Sequence, residues 1–147
     1  MPKVLIAEDD LMIADLLEEI LIEQGYDVCG IARTVADAVE LCRQHNPDLA
    51  VIDVHLADGG LGTEIAAQLG GDGHLGILYA TGNASLLITS AAGGHACLAK
   101  PYRDSDLARS LEIIAEIVAT GNATPPFPRG FTLLPAGTRL AGSSVHG

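Results

Sequence analysis

Polar residues able to do chemistry stand at the ends of apolar runs in this chain. Glu8-Asp9-Asp10 follows KVLIA, Asp53 closes LAVID, Thr81 follows LGILYA and Lys100 follows HACLA. The lysine is conspicuous because residues 73–99 hold no Asp, Glu, Lys or Arg. Two carboxylates about 4 Å apart repel by roughly 4 kcal/mol at an effective dielectric near 20, so a larger cluster needs a cation. Oxygen donors without paired cysteines or histidines suit a hard ion such as Mg²⁺, and Lys100 adds a second positive charge. A metal, a lysine, a threonine hydroxyl and one carboxylate apart from the acidic cluster are fit to receive a phosphoryl group. Metal and lysine neutralise the transferring oxygens while Asp53 attacks in line.

Such chemistry requires elements that bring these positions together. Lys3–Ala7 reads as a strand buried on both faces. Over 10–24, Ile13, Leu16, Leu17, Ile20 and Leu21 recur at helical spacing, Asp15, Glu18, Glu19 and Glu23 take the wet side, and Gly25 stops the helix. A strand follows over 26–32. Thr34 then caps a helix whose inward stripe is Val35, Ala38, Val39, Leu41 and Cys42, ended by HNPD. Residues 49–54 are the most apolar strand, and the glycine-rich LADGGLG leads into a helix over 63–69. A strand over 75–80, a short helix over 85–92, a strand over 95–99 and a helix over 104–119 complete the alternation. It predicts an α/β fold, a doubly wound parallel sheet with helices on both faces. In such sheets polar groups gather at the C-terminal strand ends, where all four clusters fall.

Length and composition set limits. The 147 residues make one domain, predicted over 1–120, followed by a Pro/Gly-rich tail over 121–147 without periodicity. A net charge of −11 leaves no basic surface to neutralise phosphates or anionic lipid, which argues against nucleic-acid and membrane partners. Three cysteines without a C-x-x-C pair argue against a disulfide framework or a zinc site. The N-terminus lacks a signal-peptide pattern, and the uncharged span is broken by glycines and hydroxyls, so the expected location is cytoplasmic.

The four clusters together resemble the receiver domain of two-component response regulators. That family carries an acidic pair after strand one, a phosphoacceptor Asp after strand three, Thr or Ser after strand four and Lys-Pro after strand five. Here they are Glu8-Asp9, Asp53, Thr81 and Lys100-Pro101. The resemblance implies a flavodoxin-like, five-stranded parallel sheet of order 2-1-3-4-5. It implies that Asp53 accepts phosphate from a sensor histidine kinase or a histidine phosphotransfer protein. Asp9, Asp53 and the backbone carbonyl of His55 would hold Mg²⁺, with Glu8 assisting through water, and Thr81 and Lys100 would grip the phosphoryl oxygens. The peptide before Pro101 would be cis, and the His55 and Asn83 side chains would tune the lifetime of the phosphoaspartate. Such a module is not an enzyme beyond its own phosphorylation and dephosphorylation. DVHLADG and YATG resemble stand-alone members, and nothing after Thr120 reads as DNA-binding. Output is therefore expected through protein contact or phosphotransfer.

Two positions depart from the family. Cys97 stands where an aromatic usually swings inward behind the threonine, leaving Tyr79 or Tyr102 to substitute, and Ala57 stands where many members have proline. Cys97 itself reads as a small buried hydrophobe or, less simply, a redox sensor. Two other functions compete: a phosphorylation-independent scaffold, and a phosphatase resembling the haloacid dehalogenase group. That group wants an acid two residues after its nucleophile, where this chain has His55. The acidic run also reads as a helix cap, most plainly at Asp10. The uncharged helix over 85–92, with Leu86, Leu87 and Ile88, is either half-buried or a docking surface. The tail holds both phenylalanines, Phe127 and Phe131, with Leu133, Leu134 and Leu140. Burying four such side chains gains about 1.5 to 3 kcal/mol each, against roughly 1 to 2 kcal/mol per ordered residue. That near balance does not assure docking on its own domain; two copies exchanging tails, or a partner supplying a groove or sheet edge for FTLL, would tip it, so a homodimer is expected, through the tail or the face of helix four, strand five and helix five.

Overall fold

The structure, a computed structural model, describes residues 2–69, 74–82, 93–134 and 139–140. Its elements are β1 (Lys3–Ala7), α1 (Leu11–Glu23), β2 (Asp27–Ala32), α2 (Val35–His45), β3 (Leu49–Asp53), α3 (Thr63–Leu69), β4 (Gly76–Thr81), β5 (Ala96–Ala99), α4 (Asp104–Thr120), β6 (Asn122–Ala123), β7 (Phe131–Leu133) and β8 (Arg139–Leu140). A 3-10 turn, Ala57–Gly59, lies between β3 and α3. The helix expected over 85–92 and Asn83 lie outside the described residues.

Successive strand residues point to opposite faces, and the sequence fills both with apolar side chains. Leu5, Ala50, Ile52, Ile77, Tyr79 and Cys97 join the layer beneath α2 and α3. Val4, Ile6, Leu49, Val51, Leu78, Ala80, Ala96 and Leu98 join the layer beneath α1 and α4. The caps are those the sequence signals: Asp10 accepts from the N–H groups of Met12 and Ile13, and Thr34 accepts from that of Asp37. Asn46 and Gly121 end α2 and α4 in the left-handed region, at φ 49° and 80°. Helix α1 differs from expectation. Ala14, Leu17 and Leu21 make its buried stripe, whereas Ile13 and Leu16 are exposed, together with Leu11, Met12 and Ile22. The sheet covers a narrower strip of this helix than its apolar spacing offers.

Strand order is β2-β1-β3-β4-β5-β7. The first five strands are parallel in the expected order, and β7 joins them at the edge as a sixth. β7 comes from the segment read as unpatterned tail and pairs antiparallel with β5, Leu98 opposite Phe131 and Ala96 opposite Leu133. In this structure the segment docks on its own domain, held by polar anchors that the balance of burial against entropy left out. The Arg109 side chain donates to the carbonyls of Thr124 at 2.8 Å and Pro126 at 3.1 Å. Glu116 accepts from the Thr124 N–H at 3.0 Å and its hydroxyl at 2.6 Å. Phe127, Phe131 and Leu133 pack on Ile113, Ile117 and Ala123, while Leu134 is buried in the layer holding Tyr79 and Cys97. Among the described residues no helix is long and apolar enough to cross a membrane.

Candidate functional site

The C-terminal ends of β1, β3 and β5 bring three charged side chains into one pocket. Glu8 follows β1 and is held in place by its backbone N–H, which donates to the Ala32 carbonyl at 2.9 Å. Its buried carboxylate accepts from the Asp10 N–H at 3.1 Å through Oε2 and lies 3.6 Å from Lys100 Nζ through Oε1. Asp53 ends β3; its Oδ1 accepts from the His55 N–H at 3.2 Å, and its Oδ2 accepts from Lys100 Nζ at 3.1 Å. Glu8, Asp9 and Asp53 each offer a carboxylate oxygen within 4.8 Å of the others. Asp10 caps α1 instead, as the plainer reading of the acidic run has it.

Thr81, the last residue of β4, is buried, one position beyond the residue paired with Asp53. Its carbonyl accepts from the Lys100 N–H at 2.8 Å, so the ends of β4 and β5 are tied where the lysine leaves the sheet. The Lys100–Pro101 peptide is cis, as the resemblance implied.

Electrostatics sharpen this picture. Burial pushes the Glu8 carboxyl from 4.5 up to about 7; Asp53 adds to the rise, while the Asp10 N–H and Lys100 oppose it. Burial works against the Lys100 ammonium, but the Asp53 and Glu8 carboxylates outweigh it and hold its pKa above the ordinary value. The arrangement thus has an acid whose pKa is raised toward neutrality beside a lysine whose pKa is raised above its ordinary value.

The loop after β3 is built around backbone bonds. Leu56 N–H donates to the Gly60 carbonyl and Gly62 N–H to that of Val54. A Cβ on Gly62 would fall inside contact distance of the Asp53 carbonyl oxygen and 2.5 Å from Ile52 Cγ2, so glycine lets the loop close against β3. Ala57 N–H donates to the Arg33 carbonyl at 2.9 Å, a bond that proline, lacking an N–H, cannot make. His55 is exposed and bridges to Leu61 through its backbone.

Sequence reasoning missed Arg33, whose Nε donates to the Asp9 carbonyl at 3.2 Å and so ties the acidic loop to the end of β2. The signal was available: Arg33 follows β2 as Glu8 follows β1. Cys97 is fully buried opposite Tyr79 in the sheet register, and Tyr79 is also fully buried, its hydroxyl donating to the Gly93 carbonyl. A second aromatic at 97 would compete for volume that Tyr79 fills, which accounts for the small residue there. Burial also raises the Cys97 thiol, so the redox reading finds no support in an activated thiolate. Tyr102 lies on the other face, beside Ile13, Leu16 and Leu17 in a cavity of about 510 Å³.

Comparison with known proteins agrees with this geometry. A family model described as the response regulator receiver domain matches residues 4–112. The transcriptional regulatory protein PdtaR of Mycobacterium tuberculosis is 37% identical over 115 residues, which is 76% of this chain. The match covers 55% of PdtaR, so the chain spans about half the length of that relative. The chemotaxis protein CheY of Bacillus subtilis is 27% identical over 104 residues, 69% of this chain and 87% of its own length. Among solved structures, the signal receiver domain of a modulated diguanylate cyclase from Desulfovibrio desulfuricans G20 aligns with a TM-score of 0.72 at 30% identity, covering 81% of this chain and 97% of that one.

Proposed function

Because the chain belongs to the response regulator receiver family, we propose that it is a phosphoacceptor switch in which Asp53 takes a phosphoryl group from a histidine kinase or histidine phosphotransfer protein. Receiver domains are signalling modules that bind Mg²⁺ at an acidic pocket and interact with such donors. The observation that carries the reading is the meeting of Glu8, Asp53 and Lys100 at three strand ends, with Lys100 Nζ 3.1 Å from the proposed nucleophile. Output runs through protein contact or onward phosphotransfer.

The residues fit the ion the family uses: an all-oxygen set with three carboxylates in reach of one another is hard-cation chemistry. Asp9, Asp53 and the His55 backbone carbonyl would hold Mg²⁺, with Glu8 assisting through water. When bound, the ion supplies charge neutralisation on the phosphoryl oxygens. An Asp53 carboxylate oxygen attacks phosphorus, the P–N bond to the donor imidazole breaks, and the imidazole nitrogen keeps the electron pair. Lys100 balances charge on the transferring oxygens and the Thr81 hydroxyl donates to one of them. Pro101 follows that lysine directly, and Cys97 stands where the family's aromatic would couple to the threonine. Hydrolysis of the acyl phosphate by water resets the switch, and the family resemblance assigns the tuning of its rate to the side chains of His55 and Asn83.

The direct test is intact-mass and peptide mapping after incubation with Mg²⁺ and acetyl phosphate. One phosphoryl adduct is expected, on the peptide containing Asp53 and only with the metal. An adduct elsewhere, or none under any condition, would favour the scaffold reading.

The Glu8 proton adds a pH dependence. With its carboxyl raised from 4.5 to about 7, the metal-free fold has its full share of this stability below 4.5 and loses it as pH rises through 7. A divalent cation and the Glu8 proton compete, so Mg²⁺ affinity by calorimetry is expected to fall up to roughly tenfold per pH unit below about 7. Glu8→Gln should flatten the profile; an unchanged slope in that variant would remove Glu8 from the site.

A further inference from the structure

β5 is squeezed between two neighbours at its C-terminal end. On one side the Lys100 N–H donates to the Thr81 carbonyl at 2.8 Å; on the other the Ala99 N–H donates to the Gly130 carbonyl at 2.9 Å. Gly130 lies at φ +81°, and a Cβ there would sit 3.3 Å from that of Ala99. The tail strand is therefore fastened to the residue next to the lysine that pairs with Asp53. It runs back along β5, with Thr132 opposite Cys97, and ends where the Leu134 N–H donates to the His95 carbonyl at 3.1 Å.

Its base and its strand are held differently. Residues 122–127 are fixed to α4 by Arg109 and Glu116 and by Ala123 and Phe127, which pack on Ile113 and Ile117. Among the described residues, those at 130–134 have no side-chain polar anchor of the Arg109 and Glu116 kind to α4 and depend on three ladder pairs, the bonds that frame them, the burial of Leu134 and the apolar packing of Phe131 and Leu133 on Ile113 and Ile117, with the Phe127 and Phe131 ring centroids 5.5 Å apart. Pro128, whose carbonyl accepts from the Phe131 N–H at 3.1 Å, and Gly130 separate the two parts. A three-residue edge strand has few backbone bonds to break, so it can open without the rest of the sheet, as switching elements do.

We propose that residues 130–134 are a strap that closes the β5 edge in the resting state and that phosphorylation at Asp53 releases it. This rests on the phosphoacceptor reading above. A phosphoryl group adds about −1.5 to −2 charge units at the pocket and draws Lys100 and the end of β4 toward it. Ala99, tied to the same turn, moves away from Gly130, whose stem stays anchored to α4. The strap takes the place of an inward-swinging aromatic as the link between pocket and surface, and release leaves the main-chain edge from Ala96 to Leu98 unpaired.

The test is hydrogen–deuterium exchange of the full chain with Mg²⁺, with and without acetyl phosphate, the adduct being followed by intact mass in the same samples. Exchange over 130–134 is expected to accelerate about tenfold or more in the phosphorylated protein, with 121–127 unchanged. Thr132→Pro removes a donor from the antiparallel ladder, so that variant should exchange rapidly there without phosphate and show no further gain. An adduct at Asp53 with unchanged or slower exchange over 130–134 would overturn the strap and leave the phosphoacceptor reading standing. Failure to form the adduct would overturn both.

Discussion

Asp53→Asn is expected to take phosphoryl labelling below detection while leaving stability within about 1 kcal/mol of wild type. The amide has no anionic oxygen to attack phosphorus, and neighbouring carboxylates do not replace it. Glu8 is buried, accepts from the Asp10 N–H and has its pKa raised to about 7 by burial, so it is a less available carboxylate. Asp9 belongs to the acidic cluster itself and stands apart from the Lys100 ion pairs. The small stability change follows from two opposing effects. Lys100 loses its 3.1 Å partner but keeps Glu8 at 3.6 Å, and the Asp53 charge no longer repels the other carboxyl groups of the cluster. Intact mass after acetyl phosphate and Mg²⁺, with a urea melt of the same protein, reads both. Persistent labelling of the variant would move the nucleophile elsewhere and remove the basis of the proposed function.

What the sequence made legible follows from locality. Each site residue ends an apolar run, so alternation of strand and helix was enough to send Glu8, Asp53 and Lys100 to one edge of a parallel sheet. The helix Thr63–Leu69 was readable to the residue because its glycine-rich approach and apolar spacing are both local. The tail strand was not. Phe131–Leu133 becomes a strand only because the β5 edge lies beside it and because Arg109 and Glu116, on a helix, hold the chain that leads to it. A three-residue antiparallel strand carries too few positions to show its own period. Arg33 escaped for a different reason. Its contact is made by a side chain to the backbone of Asp9, and residue type alone does not distinguish it from a solvated surface arginine. The exposed side of α1 was misjudged because spacing tells which residues share a face but not how wide a strip the sheet covers.

Lys100→Ala separates the roles of the two cations that the acidic pocket needs. In the resting state Lys100 faces Asp53 and Glu8 and is the one cation within ion-pair distance of these acids among the described residues. Removing it leaves three carboxylates with oxygens within 4.8 Å of one another, so Mg²⁺ should bind at least as tightly as before. Thermal stabilisation by the ion reports this: at about 100 times its dissociation constant a ligand specific to the folded state contributes about 2.7 kcal/mol. Labelling should nevertheless slow on the order of 10²-fold, because a preorganised positive charge aimed at the transferring oxygens has been lost, and water in its place must reorient as charge moves. If the variant binds Mg²⁺ and labels at the wild-type rate, the lysine only pairs with resting carboxylates and takes no part in transfer. If Mg²⁺ binding and labelling vanish together with the folded state, its ion pairs hold the strand ends in place. Retained Mg²⁺ stabilisation with slowed labelling is the result that assigns Lys100 to the transition state, the role its position at the end of an uncharged run of sequence suits it for.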